Sequence, residues 1–260
     1  MRLSAASLLP VNATLAVLLV LLLFAAAGIA ALFHLSPEGG RGSRVRQILL
    51  AGVRAAAQLA AVSVVIVRVA GSVPATLAFV LLMLAVAVRT AGRRITAGRS
   101  WWTAAIPIAS PVLPLVAVLL LAGLVPFKGI VLIPVTGILI GGALTATGLA
   151  GRRAMDVLDH RHGEVEAGLA LGLSERDARL EIARPPASDA LIPGLDQTRT
   201  VGLVTLPGAF VGMLLGGAGP LSAGAVQLFV LIALMAVQAL ATALTLELIA
   251  RGHLHRPTPR

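Results

Sequence analysis

Cysteine is absent from all 260 residues. That excludes disulfides, thiolate metal sites and a cysteine nucleophile. Charge is scarce, at 12% Asp, Glu, Lys and Arg, about half of the roughly 25% carried by a soluble domain. Acid is scarcer than base, with 11 Asp and Glu against 21 Lys and Arg. No Gly-x-x-x-x-Gly-Lys-Ser/Thr occurs, so the chain has no P-loop to hold ATP phosphates. Gly-x-Ser-x-Gly and His-Glu-x-x-His are also missing, and no enzyme activity is expected. The five histidines, His34, His160, His162, His253 and His255, all fall between or beyond the apolar runs, so a metal site is not legible. No cofactor is expected in this chain.

What is abundant is apolar surface. Hydrophobic residues make up 58% and the mean hydropathy is +0.96. Runs near 20 residues recur along the length, each long enough to cross a bilayer core of about 30 Å. Seven spans are expected, at about 11–33, 48–69, 73–90, 103–125, 129–150, 198–217 and 224–250. Helices are expected because a lipid-exposed backbone must satisfy its own hydrogen bonds. The strand alternation of a membrane barrel is missing. The expected fold is all-α and polytopic, a single transmembrane domain over 1–260 with a long loop at about 151–197. The first run, Leu15 to Phe33, exceeds a usual signal-peptide core, and its positive charge follows rather than precedes it.

The net charge of +10 invites a nucleic-acid reading, but its placement points to the lipid bilayer. Arg41, Arg44 and Arg46 follow the first span; Arg89, Arg93, Arg94 and Arg99 follow the third; Arg251, Arg256 and Arg260 follow the seventh. The loops between are short and poor in charge, with Lys128 alone after the fourth span. By the positive-inside rule, the N-terminus lies outside and the C-terminus in the cytoplasm of a cell inner (plasma) membrane.

Polar side chains inside spans are functional candidates, because burying them costs several kcal/mol. Gln58 in the second span and Gln238 in the seventh lie deepest, while Arg54, Arg68, Gln227 and Glu247 lie nearer the ends. Thr136 adds a hydroxyl in the fifth span, and Pro207 and Gly208 mark a bend in the sixth. Asp196 and Arg199 sit at the mouth of the sixth, either as an ion pair tying the loop to the membrane core or as a gate. Gln58, Thr136, Asp196, Arg199, Pro207, Gly208 and Gln238 are the candidates for a substrate path.

Nine of the eleven acidic residues lie between Asp156 and Asp196. Within that loop Gly172 suits a left-handed helix stop. Ser174, with Asp177 three residues on, begins a new helix. Pro185 and Pro186 are expected to end it. Two short helices at an angle, projecting from the membrane, are expected.

This segment resembles the cytoplasmic "EAA" motif of ABC importer permeases. Glu166, Ala167 and Gly168, then Gly172, then Ile182 and Pro185 keep the spacing of that motif, with Gly168 for the usual Ala and Arg184 for the usual Leu. The resemblance implies a coupling helix that docks on an ATPase, through Glu166, Ala167, Leu171, Gly172, Leu173 and Ile182. A second resemblance runs through Gln58, Ile133–Gly137 and Leu191–Gly208. It is to the FetB-type permeases, which export iron or another metal with a FetA-type ATPase and have plant relatives linked to aluminium tolerance. Ala209 and Phe210 depart from the Met-Met usual there, as do Gly141 and Gly142 from a usual Asn. The implied function is an ABC permease subunit that exports iron or another metal ion, working as a homodimer with two ATPase copies that carry ATP and Mg. An ATP-independent secondary transporter, or an ABC permease for a non-metal solute, remains open.

Overall fold

A computed structural model describes residues 12–35 and 43–257. Arg2, Arg41 and Arg260 lie outside the described residues. The chain divides into two compact units, residues 1–68 and 69–260.

The first unit holds α1 (Ala13–Leu32) and most of α2 (Ser43–Ala70). Asn12 caps α1 by accepting the Leu15 N–H at 3.0 Å. Its apolar side chains are almost all exposed, as suits a helix facing lipid. α2 runs from Arg44 past Gln58, and no residue described on it is buried. The two helices approach closely where Gly52 leaves room for the Leu23 side chain.

The second unit is built on α5 (Gly129–His160), flanked by α3 (Val73–Ile95), α4 (Ala105–Leu121) and α10 (Pro220–Ala250). Seven of the thirteen residues in its main core cluster are alanine. Small side chains let the backbones close on one another, which matters in lipid because packing replaces water exclusion as the driving force. Ile108, Val112 and Val237 fill the remaining space and are buried. Pro111 and Pro114 sit inside α4 without breaking it, since neighbouring helices support the freed carbonyls.

At 32 residues, α5 is about 48 Å long and outruns a bilayer core of about 30 Å. Its last turns continue past the expected end at 150 and carry the acidic loop. There α6 (His162–Ala170) and α7 (Glu175–Ser188) follow, then a 3-10 turn at Asp189–Leu191. Two expectations need correction. Pro185 and Pro186 do not end α7, which runs through both to Ser188. Ser188 Oγ donates to the Pro185 carbonyl at 2.6 Å and so satisfies one group at the helix end. Nor do both helices project: α7 lays Leu180, Ala183 and Ala187 into a second core with Ala150, Ala154, Leu246 and Ile249.

Six helices among the described residues are long and apolar enough to cross a membrane, not seven. The sixth expected span, 198–217, is broken. α8 (Ile192–Thr200) and α9 (Gly208–Leu215) flank a turn in which the N–H groups of Leu203, Val204 and Thr205 all converge on the Thr200 carbonyl. Gly202, at φ +84°, takes the left-handed conformation that tightens it. Pro207, without an N–H, restarts the chain as the residue capping α9. The broken segment still follows α10: Gly194 packs on Gln238 near the middle of that helix, and Val201 to Phe210 share a cleft with Gly224 to Leu231 nearer its start.

Candidate functional site

The charged ends meet at one end of the second unit. Arg256 donates to Asp156 and Asp159, each at 2.7 Å, and to the Ile95 carbonyl at 3.2 Å. These carboxylates outweigh its partial burial and raise its pKa. Ser100 Oγ donates to the His255 carbonyl at 3.0 Å, and Leu254 is wholly buried. The loop after α3, the acidic loop and the tail thus share one end. At the other end Thr76 Oγ1 donates to the Val69 carbonyl, beside a cleft that reaches Phe127 and Lys128. This is the segregation that the alternation of basic and poor loops requires.

An elbow forms at the charged end. Gly172 has φ +89°, so it stops α6 in a conformation that a Cβ would strain. Ser174 then caps α7 by accepting the Asp177 N–H at 3.1 Å. The two helices cross where a Cβ on Gly168 would lie 3.1 Å from the Ala178 Cβ. The glycine that departs from the motif is therefore the one that seats α6 on α7. Arg161 ties the start of α6 to Glu164, raising its own pKa and lowering that of the carboxyl.

The elbow presents leucines. Leu171 is 85% exposed, and Leu169 and Leu173 are more than two-fifths exposed. Beside them runs a groove of about 300 Å³ lined by Ala167, Gly168 and Glu181. Three exposed leucines on an acidic loop form an apolar patch of the kind that marks a protein contact. Glu166 and Ala167 are exposed on the same helix, Glu166 facing His162 at 3.4 Å. Ile182 is buried with Val165 and Ala178 between the two helices, at the floor of the same groove. Behind the patch α7 is anchored. Arg176 donates to both oxygens of Glu247 on α10, at 2.8 and 2.7 Å, which raises the guanidinium's pKa. Arg251 joins the same carboxylate at 2.5 Å. Arg153 on α5 pairs with Asp189 at 3.5 Å. A push on Leu171 would therefore reach α5, α10 and, through the 3-10 turn, α8.

The path candidates divide. Gln238 is half-buried and meets both Gly142 on α5 and Gly194 on α8. Pro207 lines the cleft that Gln227 enters, and Gly208 opens α9 in an exposed position. Thr136 is fully buried and its Oγ1 has no hydrogen-bond partner. Gln58 is exposed on α2 in the first unit. Asp196 and Arg199 do pair, at 3.8 Å, but one turn apart on exposed α8, so the pair does not tie the loop to the core. Thr147 Oγ1, Gln227 Oε1 and Thr242 Oγ1 are also buried without partners. Thr242 is not legible in the sequence, because a lone threonine in an apolar helix carries no signal of its own. Among the described residues no three His, Asp or Glu side chains converge to hold a metal ion.

Long apolar helices packed through alanine, with charge gathered at one end, define a multi-pass helical membrane protein. Residues 11–254 match the family described as "Uncharacterised protein family (UPF0014)", and the chain belongs to that family. The expected kinship with FetB-type permeases is borne out. The chain is 36% identical over 166 residues to "UPF0014 membrane protein STAR2" of Oryza sativa subsp. japonica, covering 64% of this chain and 58% of that one. It is 37% identical over 152 residues to "Protein ALUMINUM SENSITIVE 3" of Arabidopsis thaliana, covering 58% and 56%. It is 32% identical over 126 residues to "Probable iron export permease protein FetB" of Escherichia coli (strain K12), covering 48% and 49%. The matched stretch thus spans about half the length of these relatives. No solved structure matches.

Proposed function

We propose that this chain is the membrane-spanning permease subunit of an ABC transporter that exports iron or another metal ion, driven by a separate ATPase subunit. The observation that carries it is the elbow: Leu171 is offered to a partner while α7 behind it is locked to α5 and α10. A short rigid element with a fixed turn can carry the closure of two ATPase subunits into the spans. ATP and Mg belong to that partner, and two copies of this chain pair with two ATPases. The metal cargo and the outward direction rest on the printed name of the FetB relative. The charged end faces the cytoplasm, with the N-terminus outside, by the positive-inside rule.

The test is co-purification of the tagged chain with a co-expressed FetA-type ABC ATPase subunit from detergent-solubilised membranes. Wild type is expected to retain the ATPase, and Leu171→Asp to lose it without loss of thermal stability, since the side chain is exposed. Retention of the ATPase by Leu171→Asp at wild-type stoichiometry would sink the docking role.

A further inference from the structure

Four arginines at the charged end stand without acid. Arg89, Arg93 and Arg94 lie in the last two turns of α3, and Arg152 lies on α5. All four are exposed, and among the described residues none pairs with a carboxylate. Acids are near but engaged: Asp156, one turn beyond Arg152, and Asp159 both accept from Arg256, and Asp189 faces Arg153. Two of the four meet at one residue. A Cβ on Gly148 of α5 would stand 3.8 Å from Arg94 Cδ, so the missing side chain seats the Arg94 stem against α5. Arg152 Nε donates to the carbonyl of the same glycine at 3.2 Å. Arg93 is also held, 5.4 Å over the Trp101 ring and donating to the Ala97 carbonyl at 2.8 Å. Like charges one helical turn apart, as at Arg89 and Arg93, repel, and a shared anion relieves them.

The same face of α3 turns apolar toward the membrane interior. Leu82 and Val86, each more than half exposed, share helical spacing with Arg89 and Arg93. Trp102 is 60% exposed on the 3-10 turn Arg99–Ala104 that follows, as suits an aromatic at the membrane–water boundary. We infer that this surface binds an anionic phospholipid. Arg94 and Arg152 hold the headgroup phosphate, with Arg89 and Arg93 beside them, and an acyl chain lies along Leu82 and Val86. Guanidinium forks match phosphate oxygens in pairs, and basic clusters at the ends of spans attract anionic headgroups. The apolar half of the surface belongs to a helix that crosses the bilayer, beyond the reach of a soluble partner. Free phosphate would leave that half unused, so the occupant is a lipid. The site needs neither cargo nor ATPase, and its failure leaves the permease reading untouched.

The chain's two tryptophans, Trp101 and Trp102, make the site its own reporter. The experiment reconstitutes the full chain in bilayers doped with phospholipid brominated near the headgroup and reads the quenching of tryptophan fluorescence. Brominated phosphatidylglycerol is expected to quench wild type at a mole fraction about fivefold lower than brominated phosphatidylcholine. Arg94→Gln/Arg152→Gln is expected to erase that preference. Arg94→Lys/Arg152→Lys, which keeps the charge, is expected to retain it, so misfolding cannot explain the loss. Arg184→Gln/Arg199→Gln removes the same charge from exposed positions on α7 and α8 and is expected to match wild type. Equal quenching of wild type by both lipids overturns the site. So does a preference that survives Arg94→Gln/Arg152→Gln, or one that millimolar inorganic phosphate abolishes at constant ionic strength. Equal quenching together with loss of the ATPase from Arg94→Gln/Arg152→Gln would assign the patch to that partner instead.

Discussion

Gly92 and Gly194 both lie where a helix passes close to another group, yet they predict different costs. A Cβ on Gly92 would sit 2.1 Å from the Trp101 carbonyl oxygen, which is backbone and cannot swing aside. Gly92→Ala is expected to cost about 1–3 kcal/mol. A Cβ on Gly194 would meet Gln238 Oε1 at the same separation, but that atom is the tip of a flexible side chain. Gly194→Ala is expected to cost about 1 kcal/mol or less. Melting temperatures of both variants in one detergent decide the matter; a larger loss in Gly194→Ala would contradict it. Glu164 gives a pH dependence. Arg161 lowers its pKa, so its contribution to α6 is full above the ordinary carboxylate value and is lost as pH falls through the lowered one. Amide exchange in α6, corrected for intrinsic rates, is expected to accelerate in wild type as pH falls below the ordinary carboxylate range. Glu164→Gln is expected to show no such step. Gly172 and Ser174 were legible in the sequence because turns and caps are local chemistry. Arg256 with Asp156, or Gln238 with Gly194, were not, because those partners meet only through tertiary packing.

Among elements, α7 and the broken span show where periodicity stops informing. Six of the expected spans, and the two-helix form of the acidic loop, follow from hydropathy and from Gly172. The break in the sixth span lies inside a run that is apolar enough for a helix. Only Pro207 and Gly208 hinted at it, and proline and glycine are common in intact membrane helices. Pro185 and Pro186 misled in the opposite sense, because α7 is held by its buried face rather than by its own hydrogen bonds. That anchoring is testable. Arg176→Ala removes the bond between α7 and Glu247 on α10. The variant is expected to fold and to keep the ATPase, with Leu171 still exposed, but to lose cargo stimulation of ATP hydrolysis in proteoliposomes. Full stimulation in Arg176→Ala would show that force does not pass through this contact.

For the whole molecule, the absence of cysteine is an experimental asset. A single introduced thiol can be probed with a membrane-impermeant maleimide on intact cells, with no native background. On the proposed topology, in which the broken segment also crosses and the charged end faces the cytoplasm, Lys128→Cys and Ala218→Cys are expected to react, and Leu171→Cys only after the cells are opened. If the broken segment instead turned back within the membrane, Lys128 and Ala218 would lie on opposite sides and only one would label. The candidate site is less legible at this scale than the fold. The docking elbow is contiguous in sequence, whereas the buried unpartnered oxygens of Thr136, Thr147, Gln227 and Thr242 come from α5 and α10, far apart in the chain.

The box closed by Arg256 also has a history in time. Its other walls, Asp159, Asp156 and the Ile95 carbonyl, precede it in the chain by 97, 100 and 161 residues. Translation delivers them first, so this end of the bundle waits, unsealed, until Leu254 and Arg256 leave the ribosome. A nascent chain stalled before that point would leave two carboxylates and an apolar socket uncovered.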